Sequence, residues 1–170
     1  MVQIGESAAT LDQPIEHLMA CHRRIEQRLA TLERAGWQVA ENKHGVMEAI
    51  EAAIGFMQTN GAWHTEDEEQ SLFPRLRPCL DAGELAFVAS LETQHREAEE
   101  VFQALRLSVA KLPGSLVDYT RLAGQLRGIY REHILAEDEI LTKLAKRSLS
   151  KADLTGISAE MRSRREAPCP

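Results

Sequence analysis

The chain has 170 residues, of which 44% are hydrophobic and 27% charged, with a formal net charge of −6. That length supports one ordinary core, so a single domain is expected, and the acidic balance leaves no basic stripe to track phosphates, which argues against nucleic acid as a partner. No apolar run approaches the roughly 20 residues that cross a bilayer, and the opening MVQIGESAAT lacks the basic start and apolar run of an export signal, so no membrane association and a cytoplasmic location are expected.

Aromatics are only 5%, while Ala, Leu, Glu, Arg and Gln recur; these residues lose little freedom in a helix, and an all-α chain follows. After a lead over residues 1–10, Asp12 can cap a first helix with Pro14 in its first turn, its apolar face running from Ile15 through Leu32 to about Gly36. Asn42 is placed as the cap of a second helix. Its face runs through Val46, Ile50, Ile54, Met57, Trp63 and Leu72 to a break at Pro74 and Pro78, with Gly55 and Gly61 weakening its middle. Asp81 and Gly83 open a third helix, from Leu85 to Val109, which LPGS stops. Ser115 caps a fourth, running from Leu116 to Leu144, and Lys143, Lys146 and Arg147 suit its C-terminus. Four long helices joined by short loops predict an up-down-up-down four-helix bundle over residues 11–147. Residues 148–170 read as a short fifth helix, opened by a Ser150 and Asp153 capping pattern, with a frayed RSRREAPCP tail.

Five of the six histidines, His22, His44, His64, His95 and His133, have glutamate four positions later: Glu26, Glu48, Glu68, Glu99 and Glu137. A random scatter of the same residues would give fewer than one such pair. Residues four apart share a helix face, so an imidazole and a carboxylate there can grip one metal ion. Heights along the helices give an independent test, since each residue rises about 1.5 Å. Counted from the hairpin loops, His64, His95 and His133 are level within about one turn, whereas His22 and His64 mismatch by about 9 Å, which the Gly-containing segment before Trp63 could partly absorb. His44 lies about 30 Å from that layer and reads as surface, and His17 as a partly exposed helical histidine.

Imidazole and carboxylate donors in an apolar core suit iron or manganese better than a structural zinc site, and four His with two bridging Glu would hold two ions. One histidine per helix is thus placed in one layer; a ferritin-like arrangement needs Glu-x-x-His on two helices, and among those four only His95 has it, from Glu92. HExxH, GxSxG and phosphate-cradling glycine loops are absent. Cys21, Cys79 and Cys169 show no CxxC spacing and suggest neither a disulfide framework nor a thiolate zinc site.

The segments CHRRIE, WHTEDEEQSLFPRL, QHREAEE and EHILAEDEIL resemble the hemerythrin-like family, the HHE cation-binding domain, over roughly residues 11–147. By that resemblance His22, His64, His95 and His133 are terminal imidazole ligands, and Glu68 and Glu137 bridge two iron ions through an oxo- or hydroxo-bridged centre, with manganese or mixed metals as variants. Oxygen-carrying members have a second histidine on the third helix where this chain has Glu99, which leaves one iron a different ligand or an open position. The implied function is a non-haem di-iron protein that reacts with or senses dioxygen, peroxide or nitric oxide, in oxidative or nitrosative stress or in iron-centre repair. A stoichiometric binding module without turnover and a metal-free structural bundle are the alternatives.

Glu99 is either a ligand or a solvated acid, and Glu26 an outer or salt-bridged one. Tyr130 shares a face with His133 and is either a hydrogen-bond donor or redox phenol, or a core aromatic. Trp63 reads as packing. Glu66, Asp67, Glu69, Asp138 and Glu139 read as solvated face residues that could help deliver cations.

Overall fold

The computed structural model describes residues 11–41 and 44–166, and all the regular structure among them is helical. Helix α1 spans Pro14–Ala40. Pro14 opens it, since the fixed φ suits a first turn and the missing N–H has no partner to lose there. Gln13 holds the cap position without a side-chain cap bond, so Asp12 does not cap; it pairs with Arg162 of the last helix. The helix passes the expected stop at Gly36, where a Cβ would meet Thr120 Oγ1 at 2.9 Å. Gly36 is therefore a point of close approach between helices and not a terminator.

Residues 46–76 form one helix, α2, in which the π segments Met57–Gly61 and Glu68–Leu72 alternate with the α stretches Val46–Phe56, Ala62–Asp67 and Phe73–Leu76. It begins after Gly45, whose φ of 78° lies in the left-handed region that glycine tolerates; the expected cap Asn42 lies outside the described residues. Pro74 does not break the helix. The wide π turn before it accommodates a residue that lacks an N–H, and the chain stops instead in the 3-10 turn Arg77–Cys79.

Helix α3 spans Ala82–Val109, opened by a full capping box: Glu84 N–H donates to Asp81 Oδ1 at 2.9 Å and Asp81 N–H to Glu84 Oε2 at 3.0 Å. Helix α4 covers residues 116–148, with a π segment at Glu137–Leu141. Ser115 does not cap it by its side chain, because its hydroxyl donates to the Ser108 carbonyl at 2.6 Å. Helix α5, Lys151–Glu166, starts with the expected Ser150 and Asp153 box. It runs straight through residues 162–166, which were expected to fray, while Cys169 lies outside the described residues.

Helices α3 and α4, α1 and α4, and α1 and α2 pack side by side. The apolar side chains form two clusters. One holds Ile25, Leu29, Leu32, Ile50, Leu105 and Leu126, together with Tyr119, whose hydroxyl donates to the Leu32 carbonyl at 2.7 Å. The other holds Leu18, Phe73, Leu76, Leu91 and, from α5, Ile157 and Met161. Ile157 and Met161 are fully buried, which contributes about 1.5–3 kcal/mol each to holding α5 in place. Along α1, α2 and α3 a histidine falls between the stretch that feeds one cluster and the stretch that feeds the other, and on α4 the segment from His133 to Glu137 sits at the same junction.

Candidate metal centre

Six polar side chains converge where the two apolar clusters meet. His22 comes from α1, His64 and Glu68 from α2, His95 from α3, and His133 and Glu137 from α4; none is more than 7% exposed. They form two groups, His22, His64, Glu68 and Glu137, and Glu68, His95, His133 and Glu137, with the donor atoms of each group within 4.8 Å of one another. Both carboxylates belong to both groups. Glu137 Oε2 lies 3.1 Å from His22 Nε2 and 3.2 Å from His133 Nε2, while Glu68 presents Oε1 to His64 Nε2 at 3.4 Å and Oε2 to His95 Nε2 at 3.3 Å. The four-residue spacing on α2 and α4 puts each histidine and its glutamate on one face. The expected mismatch between His22 and His64 is gone: their ring centroids are 4.8 Å apart, with the π segment Met57–Gly61 packing an additional residue into the turn below His64.

Burial and mutual repulsion set the charges. Burial, and then the Glu137 carboxylate, push Glu68 well above the usual carboxylate range. Burial would raise Glu137 as well, but His133 and His22 hold it far below that range. His22, which burial alone would lower, is raised to about 9 by the two carboxylates and Asp138. His64 is driven well below 6.5 by burial and by the neighbouring His22. Seven buried atoms of the cluster, on His22, His64, Glu68 and Glu137, have no hydrogen-bond partner among the described residues. A buried polar atom left so costs about 1–3 kcal/mol, and both carboxylate oxygens of Glu68 and of Glu137 are among them, although at Glu137 Oε2 the His22 and His133 imidazoles at 3.1 and 3.2 Å offset part of that cost. Cations that accept these lone pairs remove that cost, so the donor set fits bound metal.

The model of the hemerythrin HHE cation-binding domain matches residues 13–145. The chain belongs to that family. A protein of Haemophilus influenzae described as uncharacterized is 27% identical over 165 residues, covering 93% of each chain. Helix α5 lies beyond the residues that the hemerythrin model matches.

In this hemerythrin domain three of the four imidazoles are held from behind. His22 Nδ1 donates to Asp138 Oδ1 at 2.8 Å, His95 Nδ1 to Glu69 Oε1 at 2.8 Å, and His133 Nδ1 to Gln94 Oε1 at 3.0 Å. Protonation at Nδ1 fixes the tautomer that turns each Nε2 lone pair inward. Glu69 and Asp138 were expected to be solvated face residues that could help deliver cations, and not partners of the imidazoles. Each follows one of the shared glutamates directly, and the acidic pairs at 68–69 and 137–138 are the signal that could have found them. Gln94 carries no such signal. Asp138→Ala is expected to weaken metal binding by about 10- to 100-fold with little change in helix content, measured by chelator competition and far-ultraviolet circular dichroism.

The remaining candidates stand apart from the cluster. Glu99 is exposed and accepts from Gln103 Nε2, and Glu26 is exposed on α1 beside a small cavity bordered by Arg127 and Tyr130. The Tyr130 ring stands edge-on to His133 at 6.3 Å, and burial keeps its phenol protonated well above pH 10. Glu66 and Glu139 reach solvent, as does His44, whereas Trp63 takes the Arg165 guanidinium over its ring at 5.5 Å.

Two expectations fail. His17 is fully buried, with Arg165 Nη2 at 3.3 Å and Cys21 Sγ at 3.5 Å from its Nε2, because α5 covers a face that would otherwise be open. Asp67 is likewise fully buried, gripped by Arg164 Nη1 at 2.7 Å and Arg165 Nη2 at 2.8 Å. Cys21 is buried and Cys79 exposed, and neither is in a disulfide.

Proposed function

We propose that this chain is a non-haem di-iron protein that reacts with or senses dioxygen, peroxide or nitric oxide. On this reading the four long helices run alternately up and down as one bundle. His22 and His64 hold one ion, His95 and His133 the other, and Glu68 and Glu137 bridge the two. The observation that carries the reading is the set of seven buried, unpartnered donor atoms, with both carboxylates shared between two groups of ligands. Bound iron supplies redox and Lewis-acid chemistry.

The protein's own residues do the rest. Asp138, Glu69 and Gln94 keep three imidazoles aimed inward, the two apolar clusters exclude bulk water, and Tyr130 offers a phenol that stays protonated beside His133. Manganese or a mixed pair would be accepted by the same donors. The cytoplasm is the proposed location, consistent with the absence, among the described residues, of a helix long and apolar enough to cross a membrane.

The test is metal content per chain on protein purified from iron-supplied cells, with its near-ultraviolet spectrum. About two irons per chain, with charge-transfer bands that disappear on chelation, are expected. A folded protein that binds no metal would sink the proposal.

A further inference from the structure

Three of the four clustered imidazoles have an acceptor behind them, and the exception is His64, whose Nδ1 is buried without a hydrogen-bond partner among the described residues. What orients it comes instead through α2, the helix that also carries Glu68. Each of these two donors directly follows a residue that α5 touches. Trp63, before His64, lies under the Arg165 guanidinium, and Asp67, before Glu68, is fully buried between Arg164 and Arg165. Trp63 and Asp67 are four apart and share one face of α2, beside the face of His64 and Glu68.

The grip extends across the π turn that begins at Glu68. Arg164 Nη2 donates to Ser71 Oγ at 2.6 Å, the Ser71 carbonyl accepts from Arg75 Nη1 at 2.9 Å, and Arg75 is in turn held by Glu160 of α5. Relaxation of that turn to α geometry would rotate Glu68 by about 100° relative to the stretch after it. Helix α5 also reaches α1, where Arg165 Nη2 stands 3.3 Å from His17 Nε2, five positions before His22. Resting on the di-metal reading above, we infer that Arg164 and Arg165 are positioning residues for His64 and Glu68, and that α5 thereby sets how tightly the ion between His22 and His64 is held. They do for the α2 pair, through Asp67 and Ser71, what Asp138, Glu69 and Gln94 do for the other three imidazoles. The ion of His95 and His133 shares only Glu68 with this segment and depends less on α5. Because α5 lies beyond the matched hemerythrin residues, this support is an addition to that domain.

The experiment follows iron release from the reduced, iron-loaded full-length protein to a ferrous chelator, resolved into one phase for each ion. His64→Ala identifies the phase of the ion between His22 and His64, since only that ion loses a ligand. The triple variant Arg164→Ala, Arg165→Ala and Asp67→Asn removes the grip without stranding a buried carboxylate. It is expected to lack that phase, or to speed it by about 10- to 100-fold relative to the other. Global unfolding frees both ions together, so a loss of stability alone leaves the ratio of the two rates where it was. Arg164→Ala, in which Arg165 still faces Asp67, is expected to move the ratio in the same direction by about tenfold, and it decides alone if the triple variant does not fold. A ratio that moves by less than about tenfold overturns the inference, as does movement of the other phase or the loss of both. A native chain that releases fewer than two irons overturns the di-metal reading itself, and this inference with it.

Discussion

Glu68→Ala is expected to lower bound metal and the thermal midpoint together, and His133→Ala to do the same. Glu68 belongs to both donor groups, so on the proposed di-iron reading its loss would take a ligand from each ion. A metal at 100 times its dissociation constant stabilises the folded chain by about 2.7 kcal/mol, which for a chain of this size corresponds to roughly 5–10 °C in the midpoint. The metal-free proteins provide the contrast. There the Glu68 carboxyl is fully buried, its ionised form disfavoured by burial and by Glu137, and neither of its oxygens has a hydrogen-bond partner among the described residues. Removing it should leave the metal-free midpoint unchanged or higher. Scanning calorimetry on loaded and chelated samples separates these arms, and equal midpoints for loaded native and loaded Glu68→Ala protein would defeat the assignment.

The double variant Arg164→Ala and Arg165→Ala is expected to lose about 3–5 kcal/mol of unfolding free energy, because it leaves the Asp67 carboxylate buried with no countercharge. Asp67 immediately precedes Glu68, and Arg164 also donates to Ser71 Oγ at 2.6 Å, so the two arginines grip the stretch of α2 that bears the shared carboxylate. One turn earlier in α5, Glu160 takes both Arg75 amino groups, at 2.9 and 2.7 Å. Adding Asp67→Asn to the double variant should recover most of the loss, since the uncompensated charge is then gone. Denaturant titration of the three proteins decides it. A loss of under about 1 kcal/mol in the double variant would reduce α5 to a peripheral appendage.

The helices were legible because their signals are local: the Asp81 and Gly83 opening of α3, the Ser150 and Asp153 box, and apolar positions three and four apart. The convergence of four histidines was also legible, since spacing fixes the face and distance from a loop fixes the height. What could not be read depends on partners remote in sequence. Asp67 and His17 look solvated until α5 is laid against them, and His22 sits 116 positions from the Asp138 that holds it. The π segments were invisible as well: Gly55 and Gly61 hinted at weakness, but nothing in the one-dimensional pattern distinguishes a widened turn from a broken one. Pro74 misled for the same reason, since its cost depends on the geometry of the turn before it.

The contact between His22 and Asp138 spans most of the chain, and the clustered donors themselves run from position 22 to position 137. Ions held there would act as a cross-link, confining the unfolded chain over more than a hundred residues, where the entropy of closure grows only slowly with further length. They could be captured only after α1 has docked on α4, the most distant pairing the donors require. Metal uptake would then be a late event in folding, and stripping the ions should speed global unfolding before it loosens any single helix.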